Sequence, residues 1–173
     1  LDIMLNTLFS PWPSFTDEEA DTIKSVLLSN RVNYWTGQEV RAFETEFASW
    51  SGAEQAIALM NGTVALDAAL KMLNIGQGDE VIVTPRSFIA SVSSVVNSGA
   101  TPIFADVDIN TGCIKHSTIE SLITKNTKAI SVVHLGGWPA DMENICKLAQ
   151  KYQLYVIEDC SQAHGAKIKV NDE

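Results

Sequence analysis

The stretch VIEDCSQAHGA, Val156 to Ala166, decides the reading of this chain. An apolar run from Leu154 to Ile157 ends in two adjacent carboxylates, Glu158 and Asp159, and small and polar residues follow at once. A run of this kind reads as a buried strand that delivers a carboxylate to its end. An unpaired charge there is costly, so Asp159 needs a partner.

Working outward, the same strand-like grammar recurs upstream. Gln55–Met60, Glu80–Thr84, Thr101–Val107 and Ala129–Leu135 read as buried strands, with Leu154–Glu158 as the fifth. Helical patterns separate them at Thr63–Leu73, Phe88–Val96, Ser117–Thr124 and Asp141–Tyr152. Strand followed by helix, repeated, predicts an α/β fold with a mainly parallel sheet and helices on both faces. Ligands of such sheets sit at the carboxyl ends of the strands.

Residues 1–54 differ and read as an amino-terminal helical segment that packs on the large domain formed by 55–173. Thr16-Asp17-Glu18-Glu19 is a capping box for a first helix, and Val40, Phe43, Phe47 and Trp50 mark the apolar stripe of a second. The chain opens on Leu1 and closes on Val170-Asn171-Asp172-Glu173, and the expectation is a piece of a longer protein.

The composition narrows the function. With 46% hydrophobic and 19% charged residues, the 173-residue chain is globular. A formal net charge of −9 argues against a nucleic-acid partner. Cys113, Cys146 and Cys160 have neither CxxC spacing nor an even count, so no disulfide framework and no metal site is expected, and a reducing cytoplasm fits. Ser87 to Ala105 is 19 residues without a charge, but Asn97, Ser98, Gly99 and Pro102 interrupt it; it reads as helix, turn and strand rather than a membrane span.

The strand ends hold the candidate chemistry. Gly62 and Thr63 follow the first strand where a helix starts; the glycine permits close approach, Thr63 can cap the helix, and the free amides there suit a phosphate. Phe88 follows the second strand and offers a flat ring. Asp159 closes the fifth, with Gln162 and His164 beyond it. Read singly, each has a plain structural explanation: helix capping, core packing, or an arginine partner for Asp159. Read together, a phosphate cradle, an aromatic platform and a carboxylate describe a site for a phosphorylated heterocycle such as pyridoxal phosphate, whose ring nitrogen a carboxylate keeps protonated. No GxGxxG or Walker lysine motif supports a dinucleotide or nucleoside triphosphate.

Six ordered blocks carry a resemblance: WTGQEVRAFETEFASW, NGTVALDAAL, GDEVIVTPRSFIAS, GATPIFADVD, VVHLGGWPADM and EDCSQAHGA. From about Pro13 to Ala166 the chain resembles the DegT-type sugar aminotransferases, which have the aspartate-aminotransferase (fold type I) architecture and use pyridoxal phosphate. The resemblance implies that Gly62 and Thr63 contact the phosphate, Phe88 stacks on the ring, Asp159 faces the ring nitrogen as the catalytic carboxylate of the chain, and Gln162 lies near the phenolic oxygen. It implies a sugar-nucleotide site bordered by Trp35 and Thr36. His134 and His164 fit the motifs with no assigned role.

It also implies transfer of an amino group, from glutamate, to a nucleotide-linked keto-deoxy sugar for a surface polysaccharide such as O-antigen or for a glycosylated metabolite, in a homodimer. The family's Schiff-base lysine lies in a Ser-Phe-x-x-x-Lys segment beyond EDCSQAHGA, and its small carboxy-terminal domain follows. Neither is present here, and Lys167 and Lys169 stand too close to Asp159 to serve. The isolated chain is therefore expected to be inactive. Two alternatives are a sugar 3-dehydratase of the same family, with histidine at the lysine position, and a non-catalytic half.

Overall fold

The structure, a computed structural model, describes residues 13–168. The chain divides into two compact units between Ala58 and Leu59.

The first unit holds two helices. Helix α1, Asp17–Leu28, starts at the expected capping box: the Thr16 side chain accepts from the Glu19 amide, and the Glu19 carboxylate accepts from the Thr16 amide at 2.6 Å. Helix α2, Glu39–Ser51, ends on Gly52 in the left-handed conformation (φ 72°), and along it Phe43, Phe47 and Trp50 stack with successive ring centroids 5.4 Å apart. The strand expected at Gln55–Met60 does not form. A strand exists only with a ladder partner, and no described strand pairs with this segment. The Ala58 amide bonds instead to the Glu44 carboxylate, at 2.8 Å.

The second unit is a four-stranded sheet with helices between the strands. Its elements run α3 (Gly62–Met72), β1 (Glu80–Val83), α4 (Ala90–Asn97), β2 (Thr101–Phe104), α5 (His116–Ile119), β3 (Thr127–Val133), α6 (Met142–Tyr152) and β4 (Tyr155–Asp159). All neighbouring strands are parallel, in the order β2-β1-β3-β4. The segment Ser87–Ala105 is helix, turn and strand, as its interruptions predict.

Period-two alternation splits the core between the two sheet faces. Val81 and Val83 pack with Leu70 of α3 and Val95 of α4. Ile82, Ile130 and Val132 pack on the other side with Ile119 of α5 and Ile145 of α6. The central strands β1 and β3 are almost wholly buried, and Pro102 lies in the edge strand β2, where a missing amide is tolerated.

Several element limits shift for local reasons. Asn61, not Thr63, caps α3: Asn61 is extended, and its side-chain oxygen accepts from the Val64 amide at 2.9 Å. Helix α4 starts at Ala90, which leaves Phe88 in the preceding loop. Strand β2 stops at Phe104 because the chain turns at Asp108, whose carboxylate accepts from the Asn110 and Thr111 amides at 2.9 and 3.1 Å. Val107 then makes only an isolated antiparallel bridge with Ile114. The helix expected at Ser117–Thr124 is one short α-helical turn followed by a 3-10 turn, Glu120–Leu122.

The topology creates one crevice. From β1 the chain steps outward to β2 through α4; it then returns past β1 to β3 and continues away to β4 through α6. The connections after β1 and β3 therefore leave on opposite faces. The carboxyl ends of these adjacent strands form a switch point, where α/β sheets bind ligands.

Candidate active site

The cavity at that switch point encloses about 270 Å³ and is lined by Gly62, Thr63, Phe88, His134, Asp159 and Gln162, with Ser87, Ser161 and apolar neighbours. Five sequence-expected site residues, Gly62, Thr63, Phe88, Asp159 and Gln162, thus meet although they come from three separate segments of the chain. Trp35 and Thr36 belong to the other unit and are not among the lining residues. There Asn33 closes a tight turn, its side-chain oxygen accepting from the amides of Trp35 and Thr36 at 2.9 and 3.0 Å and from the Thr36 hydroxyl at 3.2 Å.

The amino end of α3 faces the cavity. Asn61 takes the Val64 amide, while the amides of Gly62 and Thr63 have no partner among the described residues. Helix amides in that state attract an anion. A Cβ placed on Gly62 would come only to 3.6 Å from the Ser161 hydroxyl, an ordinary contact. Packing within the protein therefore does not demand glycine here, and the backbone at Gly62 stays open to the cavity. Phe88, which also lines the cavity, is 72% exposed, a large apolar ring left bare beside the open helix end.

Strand β4 brings Asp159 to the rim, where it is half-buried. Its Oδ1 accepts from the Ser161 amide at 3.0 Å and from the Ser161 hydroxyl at 2.5 Å. Neither bond involves Oδ2. Its backbone carbonyl accepts from the His134 amide at 3.2 Å, which ties the ends of β3 and β4 together. The Gln162 side-chain oxygen accepts from the Gly136 amide at 2.8 Å. Gly137, at φ 83°, lets the two loops close: a Cβ there would lie 2.8 Å from the Gln162 carbonyl.

His134 is 5% exposed, and its two nitrogens are both engaged. Nδ1 accepts from the Ala140 amide at 3.0 Å, so the ring proton sits on Nε2, which donates to Glu158 at 2.9 Å. This ring braces the loop after β3. Its neighbour Cys160 has a thiol pushed up from its ordinary range, first by burial and then by the Glu158 and Asp159 carboxylates. His134, Glu158 and Cys160 could bring three ligand atoms within 4.8 Å of one another. A metal on Nε2 would drive the ring proton to Nδ1, against the Ala140 amide, so the hydrogen bonding opposes such a centre.

Sequence reasoning missed Ser161 and misassigned the α3 cap. The signal for Ser161 was its place two residues after Asp159, the spacing at which a carboxylate meets a following amide and hydroxyl. No described lysine lines the cavity, and Lys169 lies outside the described residues. No helix among the described residues is long and apolar enough to cross a membrane.

The geometry agrees with what the chain resembles. Residues 13–171 match the model of the DegT/DnrJ/EryC1/StrS aminotransferase family. The chain is 45% identical over 157 residues to the GDP-perosamine synthase of Escherichia coli O157:H7, covering 91% of this chain and 43% of that protein. An aminotransferase from Psychrobacter cryohalolentis, solved by X-ray methods, superposes with a TM-score of 0.89 at 66% identity, over 91% of this chain and 40% of that one. NtdA from Bacillus subtilis, solved with bound cofactor PMP, superposes with a TM-score of 0.82 at 35% identity, over 87% of this chain and 35% of that one. The chain thus spans well under half the length of these relatives, and within that span its sheet and helices superpose on those of aminotransferases. The chain belongs to the DegT/DnrJ/EryC1/StrS aminotransferase family.

Proposed function

We propose that the cavity binds pyridoxal phosphate, and that the complete protein transfers an amino group from an amino acid, glutamate, to the ketone of a nucleotide-linked deoxy sugar. One observation carries this reading: an anion-ready helix end, a bare aromatic ring and a strand-end carboxylate converge on one cavity of about 270 Å³. The bound PMP of NtdA and the nucleotide-sugar product named for GDP-perosamine synthase support it.

Each residue has a part that its position allows. The Gly62 and Thr63 amides hold the phosphate. The Phe88 ring covers one face of the heterocycle and excludes water from it. Asp159 accepts a hydrogen bond from the protonated ring nitrogen and keeps its proton in place. Gln162, held by the Gly136 amide, keeps the loop after β4 beside the ring oxygen. When bound, pyridoxal phosphate supplies the electron sink that makes a proton on the donor's α-carbon removable. The lysine that moves this proton comes from a part of the protein other than the described cavity wall. Trp35 and Thr36 contact the sugar nucleotide. The protein works as a cytoplasmic homodimer in making an amino sugar for a surface polysaccharide.

The test supplies the full-length protein with pyridoxal phosphate, glutamate and a nucleotide-linked keto sugar, and follows amino-sugar formation by mass spectrometry. An amino sugar with matching 2-oxoglutarate supports the reading. Loss of a sugar hydroxyl without nitrogen transfer would replace it with the dehydratase reaction. Transamination by the isolated 173-residue chain would refute the need for an outside lysine.

A further inference from the structure

Asp159 is gripped by one residue. The Ser161 amide and hydroxyl both donate to Oδ1, at 3.0 and 2.5 Å, and Oδ2 takes part in neither bond. A strand-end carboxylate can turn about two side-chain bonds, and its two oxygens are otherwise equivalent. Two donors on one oxygen select a rotamer and determine which oxygen faces outward. The bond to a charged acceptor is among the stronger kinds.

Ser161 also lines the cavity, and its hydroxyl lies 3.6 Å from where a Cβ on Gly62 would stand. It thus stands between the anion end of the site and the carboxylate end. A direct role in binding phosphate conflicts with its chemistry. A hydroxyl has one proton to give, and here that proton goes to Asp159. Toward a phosphate only its lone pairs would remain.

We propose that Ser161 is a positioning residue: its hydroxyl pins Oδ1 of Asp159 so that Oδ2 meets the ring nitrogen of the cofactor. This rests on the reading of the cavity given above. The amide bond survives any side-chain change, so the hydroxyl's part can be separated by substitution.

The experiment uses the full-length apoprotein and pyridoxamine 5′-phosphate, which has no carbonyl and therefore reads the non-covalent contacts alone. Its Kd is measured by fluorescence quenching. Ser161→Ala is expected to raise Kd about tenfold or more, in line with losing one hydrogen bond to a charged group. Ser161→Thr, which keeps the hydroxyl, is expected to restore most of the affinity. In an Asp159→Ala background, Ser161→Ala is expected to change Kd by less than about twofold, because the oxygen it pins is gone. Equal losses in both backgrounds would overturn the proposal, as would an unchanged Kd in Ser161→Ala. Failure of the unmodified protein to bind pyridoxamine 5′-phosphate would overturn the cofactor site itself, an outcome distinct from the other two.

Discussion

His134 and Glu158 lock the ends of β3 and β4 side by side, with Nε2 2.9 Å from the carboxylate oxygen and Nδ1 held by the Ala140 amide at 3.0 Å. Two of the segments that line the candidate site, those after β3 and β4, therefore share one brace. Replacing His134 by Ala strands the Ala140 amide in a buried place and opens a void. We expect a loss of about 2 kcal/mol in denaturant unfolding. A loss below about 0.5 kcal/mol, the range of ordinary surface changes, would show that the brace carries no weight.

The cofactor contacts make a second prediction. Asp159→Ala is expected to weaken pyridoxal phosphate binding and to depress turnover of the full-length enzyme sharply. Phe88→Ala removes a ring that is already 72% exposed, so folding stability should hardly move while cofactor affinity drops by about tenfold, the scale of a lost aromatic stacking contact. Equilibrium binding and thermal melting on the same variants separate the two effects. Unchanged turnover in Asp159→Ala would remove that residue from its role.

Acid should act through Asp141, which caps α6 by accepting from the Asn144 amide and lies 2.8 Å from His116. Burial pushes its carboxyl up, but the Asn144 side-chain and backbone bonds, with His116, outweigh burial and hold it below the ordinary aspartate range. A lowered folded-state value means that the stabilisation is present above the unfolded value, near 3.8. It is lost as pH falls through the folded value. Asp141→Asn keeps a capping side chain but removes the titration. It should be less stable than the parent at pH 7 and converge on it as pH falls from about 5 to 3, while Asp141→Ala should cost about 1 kcal/mol at pH 7. Denaturant melts across that range would show it; a parallel acid loss in Asp141→Asn would assign the effect elsewhere.

The thiols give a fourth. Burial, then the Glu158 carboxylate, raises the Cys146 thiol; burial, then Glu158 and Asp159, raises Cys160. Both should stay protonated at neutral pH and alkylate more slowly than free cysteine, by about threefold or more. Zinc titration of the protein by calorimetry should give no heat that Cys160→Ala abolishes. A Cys160-dependent zinc signal would contradict the tautomer assigned to His134.

By itself the sequence determined the parts whose physics is local. Short continuous apolar runs marked β1, β3 and β4 with small errors at their ends, and the Thr16 capping box needs only residues three apart. The placement of Asp159 at a strand end was equally legible. Tertiary structure decided whatever depends on a partner far along the chain. Residues 55–60 have the composition of a strand, yet a strand needs a ladder, and among the described residues none lies beside them; Glu44 takes the Ala58 amide instead. Asn61 and Thr63 are both competent caps, and only the backbone path at Asn61 selects between them. The proton on His134 depends on the Ala140 amide and on Glu158, 24 residues away. Gln162 meets Gly136 across 26 residues because β3 and β4 pair in one particular register. Side-chain type marks which groups can bond, while strand register and loop path determine which of them meet.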